Sequence, residues 1–123
     1  MTVIPIELNT LDTTISTRFG KAPWFAFVGE DGTIRMEPNP DIGTMKMLGW
    51  FLEHKASRVI TAHIGPKPFA MFEENGIEVF NPGRGNLPLV QVLSQMEIGK
   101  LERITRENLD RFYTDKEKKD TTP

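Results

Sequence analysis

The sequence contains no cysteine. Disulfides, thiolate metal ligands and cysteine nucleophiles are excluded together. It also lacks a basic excess: 15 Lys and Arg stand against 17 Asp and Glu, for a net charge of -2. General nucleic-acid binders carry the opposite balance. Apolar runs are short, and none approaches the ~20 residues of a membrane helix. Glu7 follows too closely on the N-terminus for a signal peptide. The phosphate-cradling pattern G-x-x-x-x-G-K-[ST] is missing too. What these absences leave is a soluble, cytoplasmic globular protein, expected to bind neither nucleic acid nor membrane.

A chain of 123 residues suits one domain that hides roughly two thirds of its unfolded surface. Residues 1–113 are expected to form that domain, and 114–123, ending in DKEKKDTTP, a charged flexible tail. Thr2 to Leu8 (TVIPIEL) reads as a first strand, although Pro5 is unusual in a central one. Trp24 to Val28 (WFAFV) and Thr33 to Glu37 read as a hairpin across Asp31-Gly32. Thr44 is expected to cap a helix running to Lys55, with Met45, Leu48, Phe51 and Leu52 facing inward. Arg58 to Thr61 is a fourth strand. Pro66 suits the first position of a second helix that buries Phe69 and Phe72 and ends at Asn75-Gly76. Ile77 to Phe80 is a fifth strand. Asn86 is expected to cap a third helix with Leu89, Val92, Leu93 and Met96 inward, ending at Gly99. Thr105 to Tyr113 reads as a short extra helix.

The order β-β-β-α-β-α-β-α, with right-handed crossovers, predicts an α/β fold. Its five-stranded mixed sheet has the order 3-2-1-4-5, with strand 2 antiparallel and helices on both faces. The gap between strands one and four is then a topological switch point, where open α/β sheets bind ligands beyond the carboxyl ends of the strands. The loop after strand one carries Arg18, Phe19, Gly20 and Lys21. The loop after strand four carries His63, Ile64, Gly65, Pro66 and Lys67, and the loop after strand five carries Arg84. Four cations, Arg18, Lys21, Lys67 and Arg84, converge on one rim of an acidic protein. The second helix would add N–H donors and the positive end of its dipole, and Gly20 and Gly65 would let a ligand approach the backbone. Such a rim suits a small anion.

Each feature also has an ordinary reading. Gly65-Pro66 alone is a loop-to-helix turn, and loop cations are usually solvated; only their convergence points to a site. His63 fits a hydrogen-bonded structural residue as well as a ligand. His54 fits a helix C-terminus, Met45 reads as core, and Trp24 to Phe27 as sheet packing. No Ser-His-Asp set falls on one edge. Glu7, Asp12, Glu37 and Asp41 are too scattered for a two-metal nuclease.

The stretch TISTRFGKAPWFAFV, with ITAHIGPKPFAMFEENGIEVF downstream, resembles the nitrogenase cofactor-biosynthesis accessory domains: NifX, NifY and the C-terminal part of NifB. The similarity runs from Val3 to about Leu101. It implies a ribonuclease-H-like motif. It also implies a non-catalytic protein that binds, carries or protects an anionic metal–sulfur cluster, such as the iron–molybdenum cofactor or its precursor, in concert with cofactor-assembly or acceptor proteins. The cluster would be bound rather than used in catalysis. Three positions, in two loops, depart from the relatives. Where many have histidine before Phe-Gly, this chain has Arg18; where they often have two glycines before Ile-Gly-Pro, it has Ala62 and His63. His63 is therefore the expected metal ligand in place of the lost imidazole. Two other readings stay open: an anion- or phosphate-binding regulatory or protein-interaction domain, and a metal-dependent hydrolase.

Overall fold

The computed structural model describes residues 1–83 and 86–112. Arg84 and the expected tail over 114–123 lie outside the described residues. The sheet consists of β1 (Thr2–Ile6), β2 (Trp24–Val28), β3 (Ile34–Pro38), β4 (Arg58–Ile60), β5 (Glu78–Asn81) and β6 (Glu102–Ile104). Three helices intervene: α1 (Thr44–Glu53), α2 (Pro66–Glu74) and α3 (Leu89–Glu97). Strand order is β3-β2-β1-β4-β5-β6. β1 pairs with β4, and β4 with β5, in parallel; the other three pairings are antiparallel.

The mixed α/β sheet and the order of its first five strands follow the sequence reading. The strand count does not. Six strands replace the expected five, because Glu102–Ile104 adds an antiparallel edge beside β5. This edge strand has three residues, of which only Ile104 is buried, so it carries almost no apolar alternation from which a strand is read.

Pro5 takes part in a central strand without breaking its ladder. Gly29 and Asn39 donate to Thr33 and Pro23, so the odd residues of β2 face β3 and the even ones face β1. Opposite these, Ile4 and Ile6 of β1 face β2, and Pro5 faces the β4 side. The β1–β4 pairing ends at Val3 with Val59. Pro5 therefore stands where that ladder has already stopped, and its carbonyl accepts the N–H of Ser16 instead, at 2.8 Å. The missing donor therefore costs the sheet no ladder hydrogen bond.

Helices cover both faces. On one, Val3, Phe25, Phe27, Val59 and Val79 pack against Met47 and Phe51 of α1 and Phe69 and Phe72 of α2. On the other, Ile4, Ile6, Ala26 and Ile60 pack against Leu89 and Val92 of α3, with Leu93 and Met96 alongside. Burying each such phenylalanine or leucine contributes about 2–3 kcal/mol.

Helix starts depart from expectation. Gly43, at φ 86°, is the N-cap of α1, and Thr44 is its first helical residue. Pro88, not Asn86, is the N-cap of α3. The inward face of α1 is also rotated. Met47 is buried at 4% exposure, whereas Met45 is 71% exposed and Leu52 41%. Met47, Trp50, Phe51 and His54 form the i, i+3, i+4, i+7 stripe, and the aromatic rings decide which stripe wins. Trp50 and Phe51 both meet Phe25 and Phe27 edge to face. The last expected helix is a 3-10 turn over Leu109–Phe112.

Candidate functional site

β1, β3, β4 and β5 run the same way, so their carboxyl ends share one edge with the start of β2. Three loops meet there. After β1 the chain doubles back, with an Ile6–Ile15 bridge and a Thr14–Pro88 bridge that ties it to the segment before α3. Ile15 N–H and Leu89 N–H complete this join, donating to Leu87 and Thr13 carbonyls at 2.9 Å each. The chain then crosses the end of β1 to the opposite face, where a 3-10 turn over Phe19–Lys21 packs on α1 and α2.

Phe19 makes that crossing firm. Its ring lies edge to face with Phe25, Phe51 and Phe72, at centroid distances of 5.6, 5.7 and 5.6 Å. Expected to line the crevice, it instead anchors the loop in the apolar layer. Its neighbours Arg18, Gly20 and Lys21 are exposed. Ser16, 1% exposed, accepts the Arg18 N–H on its Oγ at 3.2 Å.

The loop after β4 is held just as tightly. Thr61, fully buried, donates its hydroxyl to the His63 carbonyl at 2.8 Å. Ile64 N–H donates to the Phe112 carbonyl at 2.8 Å, so the C-terminal turn latches the same loop. Ile64 is buried, His63 and Gly65 are half-buried, and Pro66 and Lys67 are exposed. Gly65 is the N-cap of α2 and Pro66 its first residue. Neither Gly20 nor Gly65 has a positive φ, and an added Cβ would meet nothing closer than 3.8 Å at either. The space beside them is open.

The N-terminus of α2 is poorer in donors than expected. Pro66 and Pro68 have no N–H, which leaves Lys67 as the single amide donor among the first three helical residues. Side-chain charge therefore carries more of any anion affinity here than backbone dipoles do. Arg35, Arg103, Arg106 and Arg111 form ion pairs with Glu37, Glu78, Glu73 and Glu102. Among the described residues, Arg18, Lys21 and Lys67 form none. Nor, among them, do three or more His, Asp or Glu cluster to hold a metal ion; His63 would have to bind as a lone imidazole. His54 caps α1, with Nδ1 2.9 Å from the Trp50 carbonyl and its ring stacked on Phe27 at 4.4 Å.

Sequence reasoning missed the polar residues that assemble this edge. Among the described residues, Thr13, Ser16, Thr61 and Asn81 are four of the five buried polar side chains, and all four lie in or beside these loops. Asn39, half-buried, joins them. The available signal was the dipeptide Asn-Pro, which stands at the ends of two strands, at Asn39 after β3 and Asn81 closing β5.

No described helix is long and apolar enough to cross a membrane. Among curated proteins no relative matches. Solved structures do. The apo form of the orange protein from Desulfovibrio gigas superimposes with a TM-score of 0.75 at 20% identity, covering 85% of this chain and 92% of that one. A candidate NifB protein from Thermotoga, solved by NMR, gives 0.70 at 22% identity, covering 86% and 97%. At these identities the likeness is one of fold. The family model described as dinitrogenase iron-molybdenum cofactor matches residues 1–97, a span that holds the loops after β1, β4 and β5. The chain belongs to the dinitrogenase iron-molybdenum cofactor family.

Proposed function

We propose that this chain, on a ribonuclease-H-like arrangement of its first five strands, binds and carries an anionic metal–sulfur cluster of the iron–molybdenum cofactor or precursor type. It acts without catalysis, in the cytoplasm, between cofactor-assembly and acceptor proteins. The observation that carries this reading is a set of exposed cations on these loops. Arg18, Lys21 and Lys67 stand exposed, without ion pairs among the described residues, on loops fixed by part-buried hydrogen bonds at the switch point. Arg84 extends the set by sequence position. His63 is the one imidazole in these loops and the proposed contact to metal. Clusters carry their own sulfide ligands, so a cysteine-free rim needs to supply only charge and one nitrogen donor.

The phosphate-binding alternative is less well supported by α2. Phosphate sites at helix ends rely on several free N–H groups, and Pro66 and Pro68 remove two.

The decisive experiment is anaerobic isolation from the native host with metal analysis, paired with titration of the purified protein by tetrathiomolybdate. Metal-bearing protein, and binding that weakens steeply with salt, are expected. Arg18→Ala/Lys67→Ala should lower both the affinity and the salt sensitivity, and His63→Ala the affinity alone. A metal-free protein that ignores tetrathiomolybdate but binds inorganic phosphate would sink this reading in favour of the alternative.

A further inference from the structure

Two Asn-Pro dipeptides occupy matching places in the sheet. Asn39-Pro40 follows β3, and Asn81-Pro82 closes β5. These strands flank the switch point between β1 and β4 on opposite sides: β3 lies beyond β2, and β5 beyond β4. In both, the asparagine Oδ1 accepts the N–H two residues on. Asp41 donates to Asn39, and Gly83 to Asn81, each at 2.7 Å. The intervening proline has no N–H to compete, so the turn captures that donor.

The Nδ2 groups are then aimed inward, each at two carbonyls of the loop on the neighbouring strand. Asn39 donates to Gly20 and Ala22, at 3.1 and 2.8 Å. Asn81 donates to Thr61 and Ala62, at 3.3 and 2.9 Å. Both N–H donors of each amide, and its oxygen, are thus engaged. The loop under Asn39 carries Arg18 and Lys21; the loop under Asn81 carries His63 and leads to Lys67.

We propose that Asn39 and Asn81 are a matched pair of positioning residues that set the two walls of the crevice before any ligand arrives. The proposal rests on the reading of the crevice as an anion site. The clamps carry no charge and are assigned no contact with the ligand; they act through the loops. Their effect on binding is that of an outer-shell partner, whose loss typically weakens affinity by about 10- to 100-fold.

Two measurements test this on the full chain. The first needs no ligand. Amide hydrogen exchange should quicken over residues 62–65 in Asn81→Ala and over residues 18–22 in Asn39→Ala, each variant sparing the other loop. Unchanged exchange in both overturns the clamps, whatever the crevice binds. The second is tetrathiomolybdate titration. Each variant should bind at least about tenfold more weakly, with the slope of affinity against salt as in the parent, because every cation is retained. Parent-like affinity alongside quickened exchange overturns the positioning role. A parent protein that does not bind tetrathiomolybdate overturns the cluster reading instead, and the exchange measurement still decides whether the clamps exist. Should Asn81→Ala fail to fold, Asn81→Ser and the more exposed Asn39→Ala carry the same test.

Discussion

Phe19 and Phe72 meet edge to face with their centroids 5.6 Å apart. The contact joins the loop that bears Arg18 and Lys21 to the helix that bears Lys67. A ring in the apolar layer therefore ties together the two segments that carry these cations.

Phe19→Ala should cost about 2–4 kcal/mol, the half-buried counterpart of a core phenylalanine truncation. Phe19→Leu should recover part of that. Urea unfolding reads the stability. Because the cations are retained, tetrathiomolybdate affinity should fall with no change in salt slope. A Phe19→Ala protein of parental stability would show that the ring does not anchor the loop.

Met47 and Met45 offer a test of the helix face. Met47→Ala should destabilise by about 2–4 kcal/mol, and Met45→Ala by less than about 0.5 kcal/mol. Comparable effects from the two would mean that α1 is rotated from the position described.

Thr61→Val keeps the shape of a fully buried side chain and removes its hydroxyl. The His63 carbonyl then loses its donor, at a cost of about 1–2 kcal/mol. Exchange at residues 63–65 should rise along with it. Threonine's replacement without effect would rule out that bond as a loop restraint.

Asp31 gives a pH signature. The Thr33 hydroxyl, then the Thr33 amide, donates to its carboxylate and holds it below the ordinary carboxylate range. A folded-state value depressed in this way stabilises the protein above the unfolded carboxylate's pKa. The contribution disappears as pH falls through the folded value. Thr33→Ala should raise the Asp31 titration toward that of a free aspartate, as followed by carboxyl NMR shifts. A titration that stays put would remove the hydroxyl as the principal cause.

Much of the topology was legible because its signals are strong. WFAFV and the Asp31-Gly32 turn define the hairpin, and RVI followed by Pro66 at a helix start defines a crossover. Right-handed connection then fixes the order around β1. What stayed hidden has physical causes. Met45 and Met47 are equally apolar, and only the rings of Phe25 and Phe27 select between them. ERI at β6 is held by pairing with β5 rather than by its own burial. Phe19 in a glycine-containing loop looks like a surface aromatic until Phe25, Phe51 and Phe72 are placed around it. The edge where the loops after β1, β4 and β5 meet was foreseen, but the side chains that build it were not. Thr61, Ser16, Asn39 and Asn81 are small polar residues whose importance depends on which backbone groups lie within hydrogen-bond reach, and a one-dimensional pattern does not contain that.

The Asn-Pro pairs also bear on how the molecule ages. Asparagine deamidates when the nitrogen of the following residue attacks the side-chain amide, and a proline nitrogen, lacking its hydrogen, cannot close that ring. Asn39 and Asn81 are thus shielded from the reaction that would turn a neutral clamp into a carboxylate facing two carbonyls. Asn75, followed by Gly76 and exposed at the end of α2, has no such protection. Slow chemical damage should therefore mark the far end of that helix while the two Asn-Pro turns keep their hydrogen bonds and their neutral charge.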